Sequence, residues 1–388
     1  MKHRYFQICL QGFLFWLAYD LSRFPVIPLY AQKLGLPPEA IGFVVAASTL
    51  TGMFGKFLAG GLSDALGRKA LMVFACLIAA GLPGFYFFAD SAGTLIILRL
   101  FHGLGTATMG PVGRAFVSDI VSPEQRGNRL SSYTAMTNLG TMAGRSLGGF
   151  LLFWGGFLFP FAASLLAGLL ALGIALRWPS DRKDFVHWKE LWNRLLRGFY
   201  EVGQNRVVLV TSLAEAIQYL ALGAVDAFLP IYAKSIHLED WQIGLFYGLQ
   251  TGSLILMKPG MGWISDRFGR HPQIIIGLFS GALVLWRIPL ETSFAALAAL
   301  VVCFGMTIAF VTSATTALIT DVCQKEHYGA AHGVFGTIMD AGHASGPILS
   351  GFLIARWGYR FGFGTAAVAL VIASLLFFFL VRQKENPA

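Results

Sequence analysis

Long apolar stretches in the first half of this chain are interrupted by a few ionisable side chains. They are Asp20, Arg23, Arg99, His102 and Arg145. Ionisable groups are costly inside a membrane, so each one in a spanning helix predicts a function. One acid among three arginines favours a carboxylate that binds a proton when the substrate or the conformation changes. The alternative is a permanent ion pair that holds two helices together.

Asp20 is the candidate for carrying the proton. It lies nine residues before Leu29, which places it about 13 Å below the outer end of its helix and near the midplane. Arg99 and His102 are three residues apart and share a helix face. Arg99 does not titrate, so we expect it to keep a neighbouring acid in its charged form until the helices rearrange.

The second half has a polar stripe on one helix. Glu215, Gln218, Tyr219, Leu222 and Asp226 follow each other at i, i+3, i+4, i+7 and i+11. Two acids with an amide and a phenol between them suit a cationic or zwitterionic ligand. Asp226 is close to the outer end of the predicted helix, so we expect its carboxylate to be solvated instead.

Two pairs are predicted where the halves of the chain meet. Asp340 and His343 share a helix face, and Lys56 has a comparable depth on another helix. We therefore expect an ion pair between Lys56 and Asp340, with His343 as a proton acceptor or as a structural histidine. The related pair joins Asn138, which shares a helix face with Arg145, to Lys258.

These side chains need a scaffold of membrane-spanning helices. The chain has 388 residues, of which 56% are hydrophobic and 13% are charged, about half the charge of a soluble domain. The apolar blocks are too long for strands, which excludes a membrane barrel. The four cysteines form no C-x-x-C pair and are expected to be small core residues.

Charged and turn residues divide the chain into twelve predicted spans. They cover residues 5–30, 40–63, 70–89, 93–119, 129–153, 156–177, 206–231, 240–264, 272–290, 293–321, 330–355 and 358–381. We predict a six-helix bundle over 1–178, an amphipathic surface helix within the linker 179–205, and a second bundle over 206–388. An irregular linker is the alternative.

The positive charges predict the orientation. With the N-terminus inside, inner loops and termini contain 18 lysines and arginines and outer loops contain 5. This bias predicts a plasma (inner) membrane protein with both termini in the cytoplasm. It also accounts for the net charge of +9, so no nucleic-acid partner is expected.

The two halves repeat each other at a constant offset. Pro28 and Pro230 are 202 residues apart, and the same offset relates a series of glycines and charged residues in the loops. These residues are Gly60, Asp64, Gly67, Arg68 and Asp119 in the first half, and Gly262, Asp266, Gly269, Arg270 and Asp321 in the second. A parallel repeat of six helices is typical of carriers.

The chain resembles the major facilitator superfamily over essentially its whole length, nearest to the twelve-helix drug:proton antiporters. The motif Gly60-Gly-Leu-Ser-Asp64-Ala-Leu-Gly67-Arg68-Lys69 is similar to the superfamily signature between helices 2 and 3. Leu98-Arg99-x-x-His102-Gly103 resembles the helix 4 signature, with His102 in place of Gln. Arg145 stands where the antiporter signature has Pro.

The resemblance implies how such a chain works. Helices 1, 4, 7 and 10 would line a central cavity, and helices 2, 5, 8 and 11 would pack across the halves. The loop charges around Asp64, Arg68, Asp119, Asp266, Arg270 and Asp321 would lock the outward-facing state. The alternative for these charges is simple anchoring at the inner surface.

We expect a secondary transporter that exports a small amphipathic compound in exchange for protons, as a monomer in the lipid bilayer. Many Phe and Met residues favour an adaptable apolar site. Uptake of an anionic or lipid-like metabolite, coupled to protons or facilitated, is one alternative, and a transporter-like sensor without flux is another. No enzyme signature, metal-ligand spacing or nucleotide loop is present in the sequence, so we expect no catalysis, no metal and no cofactor besides the proton gradient.

Overall fold

The computed structural model describes residues 2–179, 200, 203–323 and 328–382, and within these ranges the chain is helical without strands. The predicted surface helix of the linker lies outside the described residues. The side chain of Asp64 and the surroundings of Gly60 lie outside them as well.

Thirteen helices over the described ranges account for the twelve predicted spans. They are α1 (Lys2–Leu21), α2 (Val26–Lys33), α3 (Pro38–Leu66), α4 (Arg68–Phe85), α5 (Ala92–Ile120), α6 (Arg126–Gly155), α7 (Leu158–Leu176), α8 (Arg206–Ser235), α9 (Asp240–Phe268), α10 (Arg270–Arg287), α11 (Phe294–Val322), α12 (Tyr328–Trp357) and α13 (Tyr359–Arg382). Short 3-10 turns follow α4 and α10 and precede α6.

The first span is broken, whereas the sequence predicted one continuous helix over 5–30. Helix α1 ends at Leu21 and α2 begins at Val26. The break contains Pro25, which has no N–H to donate and disfavours helical geometry at Phe24. Pro28 is tolerated because it lies in the first turn of α2, where backbone N–H groups have no partner within the helix.

Repeated glycines make the tightest turns. Gly67 alone separates α3 from α4, and Gly269 alone separates α9 from α10. Their φ angles are 87° and 90°, in a region that side chains with a Cβ rarely adopt. The offset of 202 residues therefore corresponds to the same backbone geometry in both halves.

Contacts between Cα atoms divide the chain into two compact units. The first contains Met1–Leu36, Ala47–Trp188 and His237–Gly248, and the second contains Pro37–Ala46, Lys189–Ile236 and Leu249–Ala388. The first turns of α9 thus belong to the first unit, and those of α3 belong to the second. We call them unit 1 and unit 2.

Seven described helices are long and apolar enough to cross a membrane. They are α4, α5, α7, α8, α10, α11 and α13, with the 3-10 turns after α4 and α10 included. Helices α1, α3, α6, α9 and α12 fall outside that set, and they contain several of the candidate site residues. Large apolar side chains such as Leu169, Leu256 and Phe379 are exposed, which is typical of a surface that faces lipid.

The core of unit 1 is apolar around one polar anchor. Cys9, Cys76, Met109 and Phe116 pack together with Trp178, whose indole N–H donates to Gln11 over 2.6 Å. Core positions were expected for all four cysteines. This is confirmed for Cys9 and Cys76 and wrong for Cys303, which is exposed on the apolar helix α11. A thiol behaves as a small hydrophobic group, so an apolar outer face tolerates it.

Candidate functional site: buried charged clusters in each unit

Asp20 and Arg145 form an ion pair inside unit 1. The Nε atom of Arg145 on α6 lies 3.3 Å from Oδ1 of Asp20 on α1, and 1% of the aspartate side chain is exposed. Thr141, one turn before Arg145, also hydrogen-bonds to the carboxylate. Gly144 permits this approach, because a Cβ there would lie 2.9 Å from the Cβ of Asp20.

Arg99 lies fully buried in the same unit. It donates to Oγ of Ser48 on α3, and its guanidinium carbon lies 5.7 Å from the centre of the Tyr19 ring. The guanidinium also interacts with the phenols of Tyr19 and Tyr86, but its Nε and Nη1 atoms make no hydrogen bond of normal geometry to a described residue. A buried charge with unpaired donors is unusual and calls for a structural or functional reason.

Arg23 occupies the break between α1 and α2. Its guanidinium carbon lies 4.5 Å from the centre of the Phe24 ring and 5.1 Å from that of Tyr19. Its Nη2 atom is 3.5 Å from Oγ1 of Thr49, and its buried Nε has no partner in the described part of the chain. Arg23 interacts electrostatically with Asp20, Arg99 and Arg145.

His102, on α5, contacts two tyrosines in the same part of unit 1. Its Nδ1 atom lies 3.0 Å from the hydroxyl of Tyr86, and its ring meets that of Tyr19 edge to face at 4.7 Å. We call Tyr19, Asp20, Arg23, Arg99, His102 and Arg145 the arginine cluster. Sequence reasoning missed Tyr19, Ser48 and Tyr86. Each could have been identified as a polar side chain within an apolar span.

Unit 2 has an acid–histidine pair. Oδ2 of Asp226 on α8 lies 3.4 Å from Nε2 of His343 on α12, and the Tyr219 ring meets the imidazole edge to face at 6.0 Å. The prediction that Asp226 is solvated is wrong, because its side chain is fully buried. Helix α8 continues to Ser235, so Asp226 lies well inside it rather than near its end.

Glu215 forms a separate polar site in unit 2. Both carboxylate oxygens accept hydrogen bonds from α11, one from Thr312 at 2.8 Å and one from Thr315 at 2.9 Å. Lys258 interacts with this carboxylate electrostatically. Sequence reasoning missed both threonines, although their spacing of three residues in an apolar helix was visible.

The remaining polar candidates of unit 2 differ in their surroundings. Gln218 is fully buried, and neither amide atom has a hydrogen-bond partner among the described residues. Asp340 is 8% exposed. Leu222 is buried on the same stripe, whereas Tyr219 is half-buried.

The loop charges pair in the same way in both units. Nε of Arg68 lies 3.1 Å from Oδ2 of Asp119, and Nε of Arg270 lies 3.1 Å from Oδ2 of Asp321. Arg270 also contacts Asp266 one turn earlier. Each pair joins the start of one helix to the end of another, which suits a role in conformational gating or in anchoring.

The predicted pairs Lys56–Asp340 and Lys258–Asn138 stay predictions, since their members belong to different units. A buried pair was expected for Lys56, but Lys56 and Lys258 are both exposed. The long apolar stem of lysine lets its ammonium group reach a hydrated surface. Asn138 is half-buried on α6.

The helical repeat and the polar groups enclosed within each unit define a membrane-embedded, multi-pass transporter. The family model for the Major Facilitator Superfamily matches residues 8–290 and 211–388, so the chain belongs to this superfamily, whose members are transporters rather than enzymes.

Several proteins are similar over nearly the full length of the chain. An uncharacterized MFS-type transporter of Methanocaldococcus jannaschii is 22% identical, over 92% of this chain and 93% of its own. A multi-drug resistance efflux pump PmrA homolog of Lactococcus lactis is 23% identical, over 93% and 90%. A mutant of the nucleoside transporter NupG has a TM-score of 0.82 at 13% identity, over 97% and 99% of the two chains, and shows the same fold.

Proposed function

We propose that this protein exports a small amphipathic compound in exchange for protons. The observation that carries the proposal is the buried ion pair between Asp20 and Arg145. Within the arginine cluster, Asp20 has the only carboxylate among the described residues, while an arginine keeps its charge at any physiological pH. A rearrangement that separates the pair would leave a buried carboxylate that binds a proton readily.

Two observations support an amphipathic substrate and its export. A similar protein in Lactococcus lactis is a homolog of a multi-drug resistance efflux pump. The chain also contains 34 Phe and 10 Met residues, which suit an adaptable apolar binding surface.

The proposal includes a location and an energy source. The excess of lysine and arginine in the inner loops supports a plasma (inner) membrane protein with both termini in the cytoplasm. We propose alternating access by a monomer, with the proton gradient as the energy source and without a cofactor. The paired loop charges Arg68–Asp119 and Arg270–Asp321 would stabilise one state of the cycle.

A second candidate is uptake of an anionic metabolite, with or without protons. Three arginines share the cluster with a single carboxylate among the described residues, and such a site favours a negative charge. The two candidates differ in the direction in which protons move relative to the compound.

Proton movement in proteoliposomes tests the proposal. Purified full-length protein is reconstituted with a pH-sensitive dye inside, and ethidium or octyl phosphate is added from outside, with protein-free liposomes as the blank. Protons that leave the liposomes as the compound enters support exchange, and protons that enter with the compound support uptake. A protein that binds either probe but shows no substrate-dependent flux of the compound or of protons would overturn both candidates and favour a sensor.

The matched control uses two aspartates of unit 1. Asp20→Asn should abolish the proton signal, whereas Asp90→Asn, at an exposed position before α5, should retain it. A full proton signal in the Asp20→Asn variant would contradict the assignment of Asp20.

A further inference from the structure

The arginine cluster has more positive than negative charge. Arg23 interacts electrostatically with Arg99 and Arg145. Arg23 and Arg145 also interact with the single described carboxylate of the cluster, that of Asp20. His102 adds a positive charge if it takes up a proton, and the phenol of Tyr19 carries no formal charge in its protonated form. Two positive charges are therefore in excess over the described negative charge of the cluster.

Several hydrogen-bond donors of the cluster are also unused. Arg99 has 0% exposure, and its guanidinium interacts with the phenols of Tyr19 and Tyr86. Its Nε and Nη1 atoms nevertheless make no hydrogen bond of normal geometry to a described residue, and the same is true of Nε of Arg23. Burying a charged donor without an acceptor is costly. An acceptor supplied from outside the protein would remove this cost at both arginines.

Aromatic rings hold the guanidinium groups without using their N–H groups. The guanidinium carbons of Arg23 and Arg145 lie 4.5 and 5.3 Å from the centre of the Phe24 ring. The Tyr19 ring lies 5.1 Å from Arg23 and 5.7 Å from Arg99. Contacts of this kind are made with the ring system, so the N–H donors that point along the guanidinium plane remain for oxygen atoms of a ligand.

We propose that Arg23 and Arg99 bind the anionic oxyacid group, a carboxylate or a phosphate, of the transported compound. This inference rests on the proposed function, since it takes the ligand to be the transported amphipathic compound, and it holds for either direction of transport. Guanidinium groups match the oxygens of both anions in geometry and in charge. Asp20 keeps Arg145 occupied, so Arg23 and Arg99 supply the free donors.

Binding to the purified full-length protein in nanodiscs of phosphatidylcholine tests the inference. The probe is octyl phosphate, and octyltrimethylammonium is the matched amphiphile of opposite charge. We expect saturable binding of octyl phosphate, measured by calorimetry, and at least tenfold weaker binding of the cation. The opposite order of affinity would overturn the inference.

Variants connect the binding to the two arginines. Arg99→Gln and Arg23→Gln should each weaken octyl phosphate binding at least tenfold. Arg99→Lys should be intermediate, because it keeps the charge but loses the planar fork of donors. Arg114→Gln, at an exposed arginine of the same helix α5, should bind within twofold of the unaltered protein. If Arg99→Gln does not fold, Arg23→Gln decides the test, because Arg23 lies outside the helices. Unchanged affinity in Arg23→Gln and Arg99→Lys would overturn the inference.

Two further arms identify the source of the anion. Competition by inorganic phosphate at millimolar concentration would show that the anionic group alone is recognised. Competition by a soluble short-chain phosphatidylglycerol, in the same phosphatidylcholine nanodiscs, would show that a lipid headgroup uses the same site. Either result supports the anion site.

Failure of the inference is distinguishable from failure of the proposed function. Proton exchange with ethidium and no binding of octyl phosphate would leave the proposed function standing and overturn the anion site. Binding of octyl phosphate that depends on Arg23 and Arg99, without any proton movement, would support the anion site and overturn proton coupling.

Discussion

Nε of Arg145 lies 3.3 Å from Oδ1 of Asp20, and this ion pair joins α6 to α1 inside unit 1. The aspartate side chain is almost completely buried, whereas 13% of the arginine side chain is exposed. Arg23 is a second cation near the same carboxylate. Protonation of Asp20 therefore requires a rearrangement that weakens its interactions with both arginines.

The first prediction concerns this pair. Asp20→Asn should abolish proton-driven accumulation of a compound and leave its exchange between the two sides of the membrane largely intact, because the amide cannot exchange a proton. Counterflow in proteoliposomes of whichever probe the flux assay shows to be transported measures the exchange, and accumulation of that probe under an imposed pH gradient measures the coupling. Gradient-driven accumulation at the original rate would contradict the prediction.

A second prediction concerns the loop charges. Asp119→Asn removes the partner of Arg68, and the unfolding free energy should change by no more than about 1 kcal/mol, since the pair is partly exposed. The conformational equilibrium should shift towards states that are open to the inside. Electron paramagnetic resonance can measure this shift as a longer distance between spin labels at Ser122 and Cys323, which follow α5 and α11.

The control for the loop charges is Glu124→Gln. Glu124 is exposed in the 3-10 turn before α6, and no described residue forms an ion pair with it. In the Glu124→Gln variant, the distribution of distances between the two spin labels should match that of the unaltered protein. A distribution that is the same in Asp119→Asn and in the control would show that the contact has no gating role.

The sequence predicts the repeated features of this structure well, because the same residue types recur at a constant offset in the two halves. The spacing of Arg68 and Asp119 recurs at Arg270 and Asp321 after 202 residues, and both contacts form at the same distance. The grouping of Asp20 with three arginines also follows from depth along the helices. Each of these inferences needs helix positions only.

Contacts between helices are harder to predict where neither the repeat nor a pair of opposite charges indicates them, because they depend on packing. Ser48 is 51 residues from Arg99, and Thr315 is 100 residues from Glu215. The predicted depth of a residue in the membrane is also wrong where the end of its helix is predicted wrongly. The predicted end of α8 at residue 231 moved Asp226 towards solvent, whereas the helix continues to Ser235.

A third prediction concerns Asp226 and His343 in unit 2. His343→Leu and Asp226→Asn should each lower thermal stability in detergent, and the double variant should lose less than the sum of the two. Residues in direct contact typically show an interaction energy of about 0.5–3 kcal/mol in such a cycle. Simple additivity would show that the contact contributes nothing to stability.

A second histidine of α12 provides the control for that cycle. The Nε2 atom of His332 lies 3.2 Å from Oγ1 of Thr320, and His332 lies about three turns before His343 on α12. His332→Leu combined with Asp226→Asn should therefore be additive. A comparable interaction energy in both cycles would show that it arises from a general effect of substitutions on α12 and not from the contact between Asp226 and His343.

A fourth prediction concerns the hydrogen bonds of Glu215. Thr315→Val removes a donor from a fully buried carboxylate, and such a loss typically costs about 1–3 kcal/mol. Thr307→Val is the control, because Thr307 donates only within its own helix, to Phe304, among the bonds of the described residues. Thermal stability in detergent should fall clearly for Thr315→Val and little for Thr307→Val. An equal loss of thermal stability in the two variants would show that the hydrogen bond to Glu215 does not contribute more than a bond within the helix.

The last prediction tests the pairing of Lys56 with Asp340. Lys56→Met alone should lower thermal stability or transport more than Lys56→Met combined with Asp340→Leu, because the single variant removes the partner of a buried carboxylate. Loss of one member of a buried pair typically costs about 3–5 kcal/mol in a soluble protein. Lys56 is exposed and Asp340 is 8% exposed, so the cost should fall below that range.

The repeat supplies the matched control for this pairing. Lys258 lies 202 residues after Lys56, is exposed like it, and interacts with Glu215 instead. Lys258→Met combined with Asp340→Leu should therefore be additive, whereas the cycle of Lys56 and Asp340 should show an interaction energy of at least ~0.5 kcal/mol. If both cycles are additive, the pair does not form, and Asp340 becomes a candidate for direct contact with substrate, which its position on α12 one turn before His343 would allow.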